Sequence, residues 1–201
     1  MKKSKHIRLI GIACAILLVL GGIICIQNLA QPKDLREKYP LILERDYAFD
    51  EVGFSFEDRI SMAPNVAEIE VVKRLPDYSV TVGDAAYGTS KKVTFCQYKV
   101  KLTSSIGKTD IVTDADGTFT LIFAKNFSQS YPALDKGIHA ICSIEAAAGV
   151  HEGKYIFVDR SFYFVDGQTA LAAYEGDDSP ASRMCAKEDL VAKIKEIREK
   201  R

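Results

Sequence analysis

Apolar positions are distributed in two different ways on either side of residue 30. Residues 9–26, LIGIACAILLVLGGIICI, carry no charge, and eleven of these 18 residues are Leu, Ile or Val. A helix that crosses a bilayer takes about 20 mostly apolar residues, and four further uncharged residues follow this stretch. We therefore predict a transmembrane helix over residues 9–30, in contact with the lipid bilayer.

The flanks of this apolar run indicate its fate and its orientation. A signal peptide has a shorter apolar region and a small-x-small cleavage site, whereas Asn28-Leu29-Ala30 places Asn where a small residue is needed. We expect a retained anchor, with cleavage as the alternative. Four basic side chains precede the run closely, and such residues favour the cytoplasmic side. The prediction is a cytoplasmic tail of residues 1–8 and an extracytoplasmic remainder, with the reverse topology as the alternative.

Beyond residue 30 the pattern is typical of a folded domain. Residues 31–53 are predicted to form a juxtamembrane connector in which two prolines limit regular structure, and residues 54–201 an extracytoplasmic β-rich domain. Ser55 and Asp58 have the spacing of a capping box. They predict a short helix that ends before Pro64.

Downstream, apolar positions recur at every second residue, which indicates strands. The segments with this alternation are VAEIEVVKRL, VTFCQYKVKLTSSI, TFTLIFAK after a DADG turn, GIHAICSIEA and YIFVDRSFYFVDGQTALA. YSVTV either extends the first segment or pairs with it. The last segment is predicted to be a meander with turns near Asp159-Arg160 and at Asp166-Gly167. Leu190, Ile194 and Ile197 instead recur at helical spacing and predict a docked helix. The fold class is therefore mainly β (α+β), a small antiparallel barrel or sheet with short flanking helices, the longest at the C-terminus.

The order of these segments resembles that of a known group of domains. A helix that ends before NVAEIEVV, the strand CQYKVKLTSSIGK, and then LDKGIHAICSI and GKYIFVDRSFYFVDGQTA resemble bacterial cell-surface proteins, most of which have no assigned activity. Those domains are similar to the small OB-like β-barrel of tissue inhibitors of metalloproteases. The resemblance covers roughly residues 54–199 and implies an OB-like barrel without an identified catalytic residue.

Charge is balanced over the whole chain, with 27 basic and 27 acidic residues, but it is not evenly distributed. All acidic side chains follow residue 30, whereas four of the basic ones precede it. The predicted extracytoplasmic part is therefore acidic, whereas domains that bind nucleic acid are basic. We expect no nucleic-acid partner.

Cysteine spacing gives little support to metal or redox chemistry. Two of the five cysteines lie in the apolar run, and Cys96, Cys142 and Cys185 lie in the domain. None has the Cys-x-x-Cys spacing of zinc or thioredoxin-like sites. If they lie on neighbouring strands, Cys96 and Cys142 are the best-placed pair for a disulfide outside the cytoplasm, which would leave one free thiol.

Recognisable catalytic and metal-binding patterns are missing from the sequence. His139 and Cys142 lie three positions apart on one predicted strand, so their side chains point to opposite faces. DADG is a turn signal rather than a calcium loop. Glu68 and Glu70 share a strand face, and both are expected to be solvated rather than paired at a site. We predict no metal ligand and no cofactor. His151 could approach Cys96 or Cys142 only through the fold.

Aromatic residues are concentrated in YIFVDRSFYF, and strand alternation must turn some of them away from a shared core. Core packing is the ordinary role of such rings, while Tyr155 and Tyr163 are the candidates for a binding surface. The anchor and the missing catalytic patterns predict a membrane-anchored extracytoplasmic protein with a non-catalytic binding or assembly role, which recruits a protein partner at the membrane surface. A hydrolase-like surface enzyme with a Cys/His pair is the alternative.

Overall fold

The computed structural model describes residues 35–42, 54–83, 90–125 and 131–200. The chain divides into two compact units, Met1–Lys38 and Tyr39–Arg201. In the first unit the described residues form a short helix, α1 (Leu35–Lys38). The predicted transmembrane helix over residues 9–30 lies outside the described residues. Within them, every helix is too short or too polar to cross a membrane.

The second unit is mainly β, as predicted. Its elements are α2 (Phe56–Met62), β1 (Asn65–Val82), β2 (Lys91–Ser105), β3 (Thr118–Ala124), β4 (His139–Ala146), β5 (Lys154–Asp166), β6 (Thr169–Ala172), β7 (Cys185–Ala186) and α3 (Lys187–Glu199), with short 3-10 helices at Gly149–His151 and Pro180–Arg183. The predicted C-terminal helix is confirmed as the longest helix among the described residues.

Helix α2 begins and ends where the sequence predicts. The Ser55 hydroxyl accepts a hydrogen bond from the Asp58 backbone amide at 3.2 Å, and the Asp58 carboxylate accepts one from the Ser55 amide at 3.3 Å. This capping box satisfies two amides that have no partner inside the helix. The helix ends at Met62, because Pro64 disfavours helical backbone in the residue before it.

The strands form one mixed sheet in the order β3-β2-β1-β4-β5-β6-β7. Neighbours in this order are antiparallel. In addition, β3 pairs in parallel with β5, from Thr120–Lys154 to Ile122–Ile156. The backbone pairings therefore lead from β1 through β2, β3, β5 and β4 and return to β1.

One long strand follows one of the two alternatives that the sequence left open, and another differs from the prediction. YSVTV continues β1, which runs over 18 residues and shifts register against β2 at three places. The predicted turn at Asp159-Arg160 is wrong, because β5 is continuous there. Arg160 has a φ of +37°, and the pairing of β5 with β4 shifts beside it, so the chain accommodates extra residues as a bulge. The turn at Asp166-Gly167 is confirmed, and β6 follows it.

Both faces of the central strands are buried, and each face carries its own set of apolar residues. The first face carries the apolar residues Ala67, Ile69, Val71, Cys96, Tyr98, Val100, Phe119, Leu121, Phe123, Cys142, Ile144, Tyr155, Phe162 and Phe164. The second face packs against α2 and α3, in a core that contains Phe56, Ile60, Val66, Ile106, Ile141, Tyr163, Val165, Ala170, Ala172, Leu190, Ile194 and Ile197. Helices α2 and α3 therefore form part of the hydrophobic core of the domain.

Helix α3 is fixed to the sheet by polar contacts as well as by its apolar stripe. The Lys187 ammonium lies 3.1 Å from the Glu68 carboxylate. Glu68 is only 8% exposed, so its predicted solvation is wrong, because the helix covers this part of β1. The Arg198 guanidinium donates hydrogen bonds to the carbonyls of Ala63 and Lys108. These contacts fix both ends of the helix.

Candidate functional site

Strands β1 and β2 extend beyond their other partners and form a two-stranded ribbon. β4 pairs with β1 over residues 65–70, and β3 pairs with β2 over residues 95–101. Starting at Phe95, the last residue of β2 that pairs with β3, five consecutive pairs join residues 78–82 of β1 to residues 91–95 of β2. We call these ten residues the arm. A two-stranded ribbon is marginally stable alone, so its persistence depends on what packs against it.

The two sides of the arm differ in polarity. Tyr78, Val80 and Val82 lie on one side, because alternate residues of a strand share a face. Their cross-strand neighbours there include Phe95 and Val93. The other side is polar, and it includes a hydrogen bond of 2.8 Å between the hydroxyls of Ser79 and Thr94. The apolar side is not fully covered, since Val82 is 41% exposed.

Three rings meet at the base of the arm, and we call Tyr78, Phe95 and His151 the ring cluster. Tyr78 and Phe95 are cross-strand neighbours whose ring centroids lie 5.4 Å apart. His151 comes from the 3-10 helix between β4 and β5, and its ring centroid lies 4.4 Å from that of Phe95. The cluster therefore joins the β1–β2 hairpin to the β4–β5 connection. All three side chains are half-buried.

Polar contacts orient these rings. The Tyr78 hydroxyl lies 2.5 Å from His151 Nδ1, and the Lys154 ammonium lies 3.7 Å from the centroid of the Tyr78 ring. Burial, and then the charge of Lys154, lower the pKa of His151, while burial raises the pKa of Tyr78. Near neutral pH the phenol therefore keeps its proton and donates a hydrogen bond to the neutral imidazole. Lys154 adds a cation–π contact.

The surroundings of the arm are basic. Residues 73–95 hold four basic and two acidic side chains, although the domain as a whole is acidic. Of the two acids, Asp77 pairs with both Arg74 and Lys125, and these hydrogen bonds hold the pKa of its carboxyl below the usual value. Lys91 and Lys92 are exposed at the far end of the arm. The arm thus presents half-exposed apolar groups flanked by cations.

Neither tyrosine predicted to line a binding surface is accessible. Tyr155 is 4% exposed, and its hydroxyl accepts a hydrogen bond from the backbone amide of Val112 at 2.7 Å. Tyr163 is fully buried, with its ring edge-to-face against Phe56 at 6.1 Å. The expectation fails because helices cover the second face of β5, so that rings on both of its faces are internal.

Cys96 and Cys142 are both buried free thiols. They lie on β2 and β4, which flank β1 on opposite sides. Cys142 is opposite Ala67, whereas the residue after Cys96 is opposite Leu75. Ala67 and Leu75 lie about 26 Å apart along β1, so the two cysteines flank distant parts of this strand. A disulfide needs Cα atoms within about 7 Å. The structure therefore does not bring the predicted pair together.

The thiol and imidazole of the enzymatic alternative are also kept apart by the fold. His151 contacts Phe95, whose neighbour Cys96 points to the opposite face of β2. The Nδ1 atom of His151 is engaged by Tyr78, and complete burial raises the pKa of the Cys142 thiol well above its usual value. Across the described residues, the ligating side chains do not form any group of three that could hold a metal ion.

Sequence analysis did not identify the ring cluster, because its members are distant along the chain. The available signal for the cluster was the alternation of Tyr78, Val80 and Val82 in YSVTV. This alternation makes the strand longer than strands of globular proteins usually are. Neither a scan against protein-family models nor a search of curated proteins finds a match to this chain. The ring cluster and the arm are therefore the features of the structure that bear on function.

Proposed function

We propose that this chain is a membrane-tethered protein that displays a non-catalytic binding domain outside the cytoplasm. Residues 9–30 are the tether, since eleven Leu, Ile and Val residues contribute roughly −3 to −7 kcal/mol to insertion and no charge opposes them. The compact basic tail of residues 1–8 supports a cytoplasmic amino terminus. The recruited partner would then meet the domain at the membrane surface.

In this proposal the domain is an OB-like barrel. The circuit of pairings from β1 through β2, β3, β5 and β4 back to β1 supports a closed arrangement of five strands. OB barrels bind their ligands on the second and third strands and on the loops that join strands one to two and four to five. Phe95 lies on β2, and His151 lies on the β4–β5 connection. Their contact is the observation that carries the proposed binding function.

The chemistry of the ring cluster suits binding. Half-exposed rings give a ligand apolar area at a small cost in conformational entropy, and Lys154 adds a charge beside them. The hydrogen bond between Tyr78 and His151 fixes the rings before a ligand arrives. Preorganisation of this kind strengthens binding because fewer side chains must be ordered.

A binding screen with matched variants tests this function. The full chain in neutral detergent micelles is applied to arrays of peptides and oligosaccharides, beside Phe95→Ala and the control Phe54→Ala. Phe54 is an exposed phenylalanine that lies outside the arm, just before α2. We expect the ligands of the native chain to be lost in Phe95→Ala and kept in Phe54→Ala. Ligands that survive Phe95→Ala would place binding elsewhere and refute the proposed site.

A further inference from the structure

The arm presents an open strand edge in the part of the chain that the structure describes. Val71 is the last residue of β1 with backbone bonds on the side of β4, since it bonds Gly137 and Ile138. Among the described residues, the backbone of residues 72–82 pairs with β2 alone. Unpaired edges of this kind are templates for a further strand.

The edge is protected at its base and open towards its end. Pro76 has no amide hydrogen, and the register against β2 shifts between Leu75 and Tyr78. Proline and bulges are two of the devices that keep edges from pairing. Residues 78–82, YSVTV, contain no proline, bulge or charge. These five residues are therefore the part of the edge to which a strand can add.

Side chains along this part favour an apolar neighbour. A strand added here would place alternate side chains beside Tyr78, Val80 and Val82, which would be their cross-strand partners. Pairs of aromatic and β-branched residues on neighbouring strands stabilise a sheet. Val82, the most exposed of the three, would be covered.

Cations surround the same edge. Lys73 lies on β1 ahead of the arm, and Lys91 and Lys92 lie at the far end of the arm, all three exposed. Lys154 stands over the ring of Tyr78. Acidic side chains on an added strand would find a positive partner near either end, Lys154 at the base and Lys91 and Lys92 at the far end, whereas basic ones would be repelled. Charge complementarity therefore selects an acidic occupant.

We propose that the arm binds an acidic polypeptide segment in extended form, which adds as a strand to β1 along residues 78–82. This inference rests on the proposed binding function and names the class of partner. A second copy of the chain fits less well, because its own residues 78–82 contain no acidic side chain to pair with these lysines. Backbone hydrogen bonds supply affinity in this mode, and alternate side chains supply specificity.

A designed heptapeptide of alternating Glu and Val, blocked at both ends, is the probe. It is titrated to millimolar concentration into the full ¹⁵N-labelled chain in neutral detergent micelles. We expect the largest amide shift changes at residues 78–82. Lys92→Glu should weaken binding about threefold or more, whereas the exposed control Lys195→Glu on α3 should leave it unchanged. The same peptide with every backbone nitrogen methylated keeps its charges but cannot donate hydrogen bonds, and it should not bind.

Each opposite result overturns the inference. Equal binding of the methylated peptide would mean that charge alone attracts the probe. No binding at millimolar peptide, shift changes confined to other elements, or equal effects of Lys92→Glu and Lys195→Glu would show that the edge takes no acidic strand. None of these outcomes alters the comparison of Phe95→Ala with Phe54→Ala, so the proposed binding function stands or fails separately.

Discussion

Replacement of Ile194 by alanine tests whether α3 is an integral part of the domain. Ile194 has no exposed surface and belongs to the core that α2 and α3 form with the second face of the sheet. The change removes three carbons, which is about 2.4 kcal/mol of transfer free energy at about 0.8 kcal/mol each. A residual cavity adds to this, so we expect a loss of about 3 kcal/mol within the usual range of about 2–5 kcal/mol.

The loss is measured by urea unfolding of the full chain in mild detergent, followed by far-ultraviolet circular dichroism. For a domain of this size the thermal midpoint should also fall by roughly 6–12 °C. The control is Lys195→Ala on the exposed side of the same helix, which should change stability by no more than about 0.5 kcal/mol. A loss below about 1 kcal/mol for Ile194→Ala, with an unchanged urea dependence, would refute the docking of α3.

Four further predictions concern individual side chains. Lys154→Met should raise the pKa of His151 towards 6.5, because it removes one of the two causes that lower it; an unchanged histidine titration by NMR would contradict the contact. The pKa of His151 in the folded chain lies below its value in the unfolded chain. His151 therefore contributes stability that is lost as pH falls below about 6.5. Comparing the free energy of unfolding at pH 5 and pH 7 measures this loss. Glu68→Gln should reduce the free energy of unfolding by about 1 kcal/mol, as the melting midpoint would report. Alkylation near pH 7 should modify half-buried Cys185 before Cys142, and mass spectrometry showing the reverse order would contradict the packing of β4.

Patterns with a short period predicted the local elements of the domain well. Ser55 and Asp58 marked the start of α2, because a capping box acts within four residues. The stripe of Leu190, Ile194 and Ile197 predicted the buried side of α3, since helical spacing alone brings these residues together. Such features depend on neighbours in the chain, and the sequence shows them directly.

Features that depend on pairing between distant strands were missed. The exposure of Tyr163 could not be predicted, because alternation does not tell whether a helix covers the second face of β5. The bulge at Arg160 resembles a turn in the sequence, and only the ladder with β4 distinguishes the two. Likewise, the contact between His151 and Phe95 exists because the sheet places the connection between β4 and β5 beside β2, and the pattern of neither strand shows this.

Protease treatment of intact native cells tests the central claim most directly, that a tethered domain lies outside the cytoplasm. An epitope tag is placed after residue 201 of the full chain, and the membrane fraction is examined after digestion. We predict that the tagged chain is found in the membrane fraction and that the tag is lost on intact cells. A tag that resists digestion until the cells are lysed, or a full-length chain recovered without membranes, would contradict the claim.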